Sequence, residues 1–323
     1  MLSSDLIADL IGATPGGRRN NDDARVGRIP WDAPGESLDE ATRKLSARWV
    51  AQWREFARSI FDSDELSRYP IYVLPSPAFG AESILADGMP CVLVHHGAME
   101  LMSFAVECDL LSGQAARSVG ESASGQQILR RIDALTHFIF RSHMKDPARL
   151  PKLSQWLTEA SRKAWLFHVL GAETFILLHE IGHIRLGHLE NNLPDGREAV
   201  AQRQRRREFE ADAFAFKMTT RGHEMLLLGA WSFLWWFSYY QAWEGAYANY
   251  YPTAVARFEA LLKTHSGDLA PHLQEELTGM QRIADFLHAG GHREDLHDFN
   301  RGELGTCEDA QGELSVIFHT LLT

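Results

Sequence analysis

The stretch LLHEIGHIRLGH at Leu177–His188 places potential metal ligands on a strongly apolar helical pattern. His179 and His183 stand four residues apart, so on an α-helix their directions differ by about 40° and both imidazoles project from one face. Such a pair can hold one zinc ion. Glu180 lies about 100° round from His179, where its carboxylate can act as general base and then acid on zinc-bound water. The pattern predicts metal-assisted hydrolysis.

A third ligand is expected downstream, in EFEADAFAF at Glu208–Phe216. Acid and alanine alternate on one face of this predicted helix. The small alanines allow it to approach closely the helix of the HExxH motif, which His179, Glu180 and His183 form. Glu208 is predicted to complete a His2Glu site for one Zn²⁺ per chain, and Glu210, about 200° away, is the weaker alternative. Asp212, one turn after Glu208, is predicted to accept the free Nδ1–H of a ligand histidine.

Two other sources of a third ligand are rejected. The metzincin pattern needs Gly at position 186 and His at position 189, but this sequence has Leu186 and Leu189. His188 lies five residues past His183, about 140° round a continuous helix, so it cannot share the metal. It is predicted to lie outside the site, at the helix C-terminus.

Composition and charge exclude several classes of protein. The 323 residues are 45% hydrophobic and 23% charged, which is typical of a soluble globular protein able to bury a core. The formal net charge of -11 argues against nucleic acid as a partner. Three cysteines without a CxxC form neither a disulfide framework nor a thiolate zinc site. The N-terminus lacks a basic leader, so a cytoplasmic location is expected, with inner-membrane association as the alternative.

The chain is predicted to form one domain preceded by an arm. Residues 1–40 mix Gly, Pro, Asn and charges and are predicted to be flexible or loosely docked. Residues 41–323 are predicted to form a single metallopeptidase domain, with its core at about 70–260 and a helical C-terminal part at 261–323. Met225–Ala242 carries no formal charge and would span about 27 Å as a helix. A core helix is favoured there, and membrane association is the alternative.

The apolar patterns predict a predominantly helical α+β fold with a small β-sheet beside the HExxH helix. Ile71–Pro75 and Met89–Gly97 have the β-branched, apolar character of strands. Helical periodicity is present at residues 100–111, 127–140, 151–169, 166–189, 197–220 and 226–240. The stretch Ile71–Phe79 is predicted to be the edge strand that aligns an extended substrate by backbone pairing.

HEIGH followed by EFEAD resembles the zinc-site arrangement of gluzincin-type metallopeptidases, in particular the CAAX prenyl and HtpX-type proteases. Upstream, SPAFG at Ser76–Gly80 and CVLVHHGAMEL at Cys91–Leu101 look like the strands that precede the zinc helix in that class. Downstream, YYPTAVARF at Tyr250–Phe258 is similar to its His-Pro element, with Tyr251 where His would stand and Arg257 retained. The resemblance implies that Tyr251 and Arg257 stabilise the transition state.

Size and composition look more like the Lit phage-exclusion peptidase family, and the ImmA/IrrE peptidases have a similar HExxH and acidic-alanine helix. The resemblance covers roughly residues 70–260 and implies a bacterial zinc endopeptidase that cleaves a protein substrate, namely a host intracellular protein. Two alternatives stay open. One is a catalytically silent zinc-binding regulatory protein that lost an oxyanion donor at Tyr251, and the other is a membrane-embedded HtpX-like protease.

Overall fold

The fold is described from a computed structural model of the 323-residue chain. The structure describes residues 29–30, 69–74, 78–86, 88–120, 122–145, 150–151, 153–189, 197–222, 227–244, 251–265 and 306–322. The predicted arm at residues 1–40, except for 29–30, lies outside them, as does much of the predicted C-terminal part at 261–323.

Within these residues the chain forms four strands and seven α-helices, which confirms the predicted predominantly helical α+β fold. The strands are β1 Ile29–Pro30, β2 Ile71–Leu74, β3 Ala81–Ala86 and β4 Met89–His95. The helices are α1 His96–Val119, α2 Ala123–Lys145, α3 Glu159–Arg185, α4 Arg197–Gly222, α5 Leu227–Glu244, α6 Ala254–His265 and α7 Cys307–Leu322. A short 3₁₀ turn at Ser154–Trp156 precedes α3.

The strands form one sheet in the order β1-β2-β4-β3. β2 runs parallel to β4, whereas β1 and β3 are antiparallel to their neighbours. The prediction that Ile71–Phe79 forms the edge was therefore wrong, because β2 lies inside the sheet and the edges among the described strands are β1 and β3. The physical reason is composition: IYVL in β2 is buried at all four positions, whereas β3 carries the polar Glu82 and Ser83, which suit an edge.

Backbone contacts divide the chain into two compact units. The first comprises residues 1–98, 173–224 and 246–252, and its described part holds the sheet, the C-terminal part of α3 and helix α4. The second comprises residues 99–172, 225–245 and 253–323, and it holds the remaining helices with the first half of α3. The assignment of residues 41–323 to one domain stays a prediction.

Helix α5 covers the apolar stretch that was predicted as a core helix. Every residue from Leu227 to Leu234 is buried, so its first two turns are enclosed on all sides. A Cβ added at Gly229 would overlap the α3 backbone at His168 and Ala172, so the two helices meet at backbone distance there. This packing is that of a core helix. Membrane attachment through Met225–Ala242 stays an unfavoured prediction.

One helix of the described chain, α3, is long and apolar enough to cross a membrane. Within its most apolar window 67% of the residues are buried inside the protein, as expected for the central helix of a core. Because the same helix carries HExxH, its apolar character serves to bury the candidate site.

Glu107 on α1 is expected to make the stability of the second unit depend on pH. Its carboxylate accepts the backbone N–H of Leu153 at 3.3 Å, and burial raises its pKa from 4.5 to about 7. A carboxyl whose pKa is raised by folding stabilises the fold fully below pH 4.5, and this contribution is lost as the pH rises through 7. We therefore expect Glu107→Gln, which is neutral at every pH, to be more stable than the native chain at pH 8.

The expected gain in the free energy of unfolding at pH 8 is on the order of 1 to 3 kcal/mol, and it should shrink toward zero at pH 5. Urea unfolding at the two pH values measures it, with the exposed Glu259→Gln of the same unit as the control. An equal effect of Glu107→Gln at pH 5 and pH 8 would contradict the proposed ionisation.

Candidate metal centre

The candidate metal centre lies in the first compact unit, on α3 and α4. Helix α3 buries its HExxH residues, with exposed fractions of 7% for His179, 8% for Glu180 and 8% for His183. Helix α4 presents Glu208 and Asp212 one turn apart, exposed by 5% and 1%. Five ionisable side chains buried together are costly unless their charges and lone pairs are matched. Their partners therefore indicate what the site binds.

The two helices approach each other through small residues, as the alanines of the EFEAD segment predicted. Ala211 and Ala215 of α4 are fully buried. A Cβ added to Gly182 of α3 would stand 3.2 Å from the Cα of Ala211 and 3.1 Å from the Phe214 ring. Glycine at position 182 thus allows the backbone of α4 to come close enough for its carboxylates to reach the histidines.

Two imidazole nitrogens and one carboxylate converge between these helices. The Nε2 atoms of His179 and His183 are 3.1 Å apart, and they lie 3.3 and 3.5 Å from the two carboxylate oxygens of Glu208. A tetrahedral zinc ion with bonds of about 2.0–2.1 Å separates its ligand atoms by about 3.3 Å. The three measured distances lie close to this separation, and the three side chains form a buried group that could hold a metal ion.

The hydrogen bond of His179 fixes its tautomer. Its Nδ1 lies 2.8 Å from Oδ1 of Asp212, and a carboxylate only accepts, so Nδ1 carries the proton. The other ring nitrogen, Nε2, faces His183 and Glu208. The contact predicted for Asp212 is thus present, and it orients His179 as an outer carboxylate orients a metal-binding histidine.

Glu180 stands beside the donor group without belonging to it. Ser83 of the edge strand β3 donates a hydrogen bond to its carboxylate. Burial raises the pKa of Glu180 to about 7, opposed by the neighbouring His179 and reinforced by the charge of Glu208. A carboxyl group in this position can take up and release a proton near neutral pH.

His188 contacts His183, although it was predicted to lie outside the site. Helix α3 ends at Arg185, so the angle calculated for a continuous helix does not apply to a residue beyond it. The Nδ1 atoms of His188 and His183 lie 3.0 Å apart, and Nε2 of His188 lies 3.0 Å from Oε2 of Glu210. The sequence signal was Gly187 directly before His188, since glycine commonly ends a helix and reverses the chain.

Two further predicted site residues, Tyr251 and Arg257, lie just before α6 and on it. Tyr251 is half-buried in a bend just before α6. Arg257 is buried on α6, with its guanidinium carbon 5.6 Å from the centroid of the Phe237 ring. They fall in different compact units, Tyr251 in the first and Arg257 in the second. Their roles at the transition state stay predictions.

We expect Gly182→Ala to lower the affinity for metal while the chain stays folded. The added methyl group must displace the α4 backbone at Ala211, and with it the neighbouring Asp212, by a few tenths of an ångström. The metal affinity should fall about 10-fold, as for other disturbances of the shell around the ligands. The matched control is Gly113→Ala in the interior of α1, where a Cβ meets nothing within 4 Å. Wild-type metal affinity in Gly182→Ala, measured by competition with a chelating dye, would contradict this role of the helix contact.

The geometry defines a class of site: an HExxH helix whose two histidines meet a carboxylate from a second helix, as in His2Glu metal centres. A family model described as Peptidase U49 matches residues 98–275, more than half of the chain and a range that includes both helices of the site. The chain therefore belongs to the Peptidase U49 family and is a peptidase. No curated protein and no solved structure gives a match.

Proposed function

We propose that this peptidase is a zinc-dependent endopeptidase whose metal ligands are His179, His183 and Glu208. The observation that carries the proposal is the buried cluster of two Nε2 atoms, 3.1 Å apart, and the Glu208 carboxylate, whose oxygens lie 3.3 and 3.5 Å from them, with the Nδ1 of each histidine engaged elsewhere. Each Nε2 lone pair therefore faces another acceptor, an arrangement that only a shared proton or a cation can satisfy. Two nitrogens and one carboxylate at tetrahedral spacing suit zinc and leave a fourth position open.

When bound, zinc would polarise the scissile carbonyl and lower the pKa of a water molecule. Glu180 would accept the proton of the attacking water and pass it to the leaving amine, which its position beside the donor group and its raised pKa support. Ser83 would hold the Glu180 carboxylate in place through its hydrogen bond. Asp212 would keep His179 in the tautomer that presents Nε2.

The substrate of this peptidase is a protein or peptide, and we propose that the edge strand β3 aligns it. β3 is bonded on one side to β4, and through Ser83 it contacts Glu180. An extended peptide that paired with its other side would run past the general base. A host intracellular protein as substrate remains a proposal that rests on the resemblance to the Lit family. A cytoplasmic location also remains a proposal.

The proposed function is tested by a search for metal-dependent cleavage. The zinc-loaded protein and the same preparation treated with a chelator are incubated with a bacterial protein extract, and new N-termini are labelled and identified by mass spectrometry. We expect internal cleavages that appear only with metal and return when zinc is restored. Cleavage that proceeds equally in the chelated sample would contradict zinc dependence, and no cleavage with zinc bound would favour the silent regulatory alternative.

A further inference from the structure

The turn that ends α3 has the hydrogen bonds of a Schellman motif. The N–H of His188 bonds to the carbonyl of His183 at 2.9 Å, and the N–H of Gly187 bonds to the carbonyl of Ile184 at 3.2 Å. Gly187 has a φ of +70°, the left-handed conformation that this motif requires and that glycine adopts without strain. The motif reverses the chain and returns the residue after the glycine to the last turn of the helix.

This reversal brings His188 onto His183, where an apolar contact commonly forms in such motifs. Here the contact is polar: the two Nδ1 atoms lie 3.0 Å apart and the ring planes are 67° from parallel. The side chain of His188 is only 6% exposed. Its other nitrogen, Nε2, lies 3.0 Å from Oε2 of Glu210 on α4. His188 thus bridges a predicted metal ligand and a carboxylate.

Only one distribution of protons satisfies this chain of contacts when His183 offers Nε2 to a metal. The proton of His183 must then be on Nδ1, which donates to Nδ1 of His188. His188 can accept there only if its own proton is on Nε2, and that N–H donates to the carboxylate of Glu210. Each hydrogen bond then has one direction: His183 donates to His188, and His188 donates to Glu210.

We propose that His188, held by Glu210, is the positioning residue for the ligand His183, as Asp212 is for His179. The two ligand histidines then have different supports, one a direct carboxylate and the other a histidine backed by a carboxylate. Such outer partners fix the tautomer and the ring orientation of a metal-binding histidine. The inference rests on the metal site of the proposed function, and it gives His188 and Glu210 roles in addition to the three ligands and Asp212.

The test is a titration of the metal-free full chain with Co²⁺, followed by visible absorption, with Zn²⁺ affinity measured by competition. Removal of an outer partner commonly lowers metal affinity 10- to 100-fold, and we expect a loss of this size in His188→Ala, with an altered Co²⁺ spectrum. His188→Asn keeps an acceptor near the Nδ1 position and should recover much of the affinity. Glu210→Ala should give a smaller loss, and because Glu210 is exposed it should leave the fold intact.

The controls are Leu186→Ala, an exposed residue in the same turn, and Glu198→Ala, an exposed carboxylate on α4. Both should bind Co²⁺ and Zn²⁺ like the wild type. Wild-type affinity and an unchanged Co²⁺ spectrum in both His188→Ala and Glu210→Ala would overturn the inference while leaving the metal site standing. An Asn variant as weak as the Ala variant would assign the effect to packing and also overturn it. Failure of the wild type to bind either ion would instead remove the metal site itself.

Discussion

Glu180→Gln is expected to bind zinc like the native protein and to lose peptidase activity by about 10²- to 10⁴-fold, the usual contribution of a general base. The reason is that glutamine keeps the shape of the side chain and its contact with Ser83 but cannot accept the proton of the attacking water. Glu180 is absent from the group of donor atoms, so the metal should stay. The measurement is the rate of appearance of the metal-dependent cleavages, with zinc content determined on the same samples.

The matched control is Glu159→Gln, an exposed carboxyl in the first turn of the same helix, which should cleave at the native rate. A Glu180→Gln variant with full activity would disprove the role of Glu180. A variant that loses its zinc together with its activity would show that Glu180 holds the metal, which the geometry does not predict.

The second large effect is expected for Glu208→Ala. The substitution removes one of the three proposed ligands and leaves two histidine nitrogens 3.1 Å apart without the carboxylate that faces them. The affinity for zinc should fall by about 10²- to 10³-fold, roughly the share of one ligand in a structural site of four. The fold should persist, because the apolar contact of α3 with α4 through Gly182 and Ala211 is untouched.

Calorimetric titration of the metal-free variant with zinc measures this loss, with Glu198→Ala on the same helix as the control. Native affinity in Glu208→Ala would move the third ligand to another residue. In that case the resemblance of EFEAD to the gluzincin pattern would be a coincidence of sequence.

The central part of the site could be predicted from the sequence because its geometry is local. A spacing of four residues on one helix fixes the relation of His179 to His183, and the same spacing fixes that of Glu208 to Asp212. The proximity of the two helices was suggested by the alanines of α4. Small residues on one face of a helix allow close packing. A carboxylate that is buried on such a face needs a partner that compensates its charge.

The features that were missed depend on chain reversals rather than on periodicity. Strand β3 reads AESILA, which has little β propensity of its own and is a strand because it pairs with β4. The Asp-Gly sequence at positions 87 and 88, a strong hairpin signal, was the available sign of it. The contact of His188 with His183 likewise depends on a left-handed Gly187 that ends the helix. Long-range relations, such as those of Tyr251 and Arg257, are encoded by no local pattern.

The most direct test of the zinc site is the metal content of the purified protein, determined by elemental analysis after equilibration with zinc and removal of the excess. The native chain is expected to retain one zinc per molecule, and the double variant His179→Ala, His183→Ala should retain none while remaining folded by circular dichroism. A native chain without zinc, or a double variant that keeps its full complement, would contradict the assignment of His179, His183 and Glu208 as a metal centre.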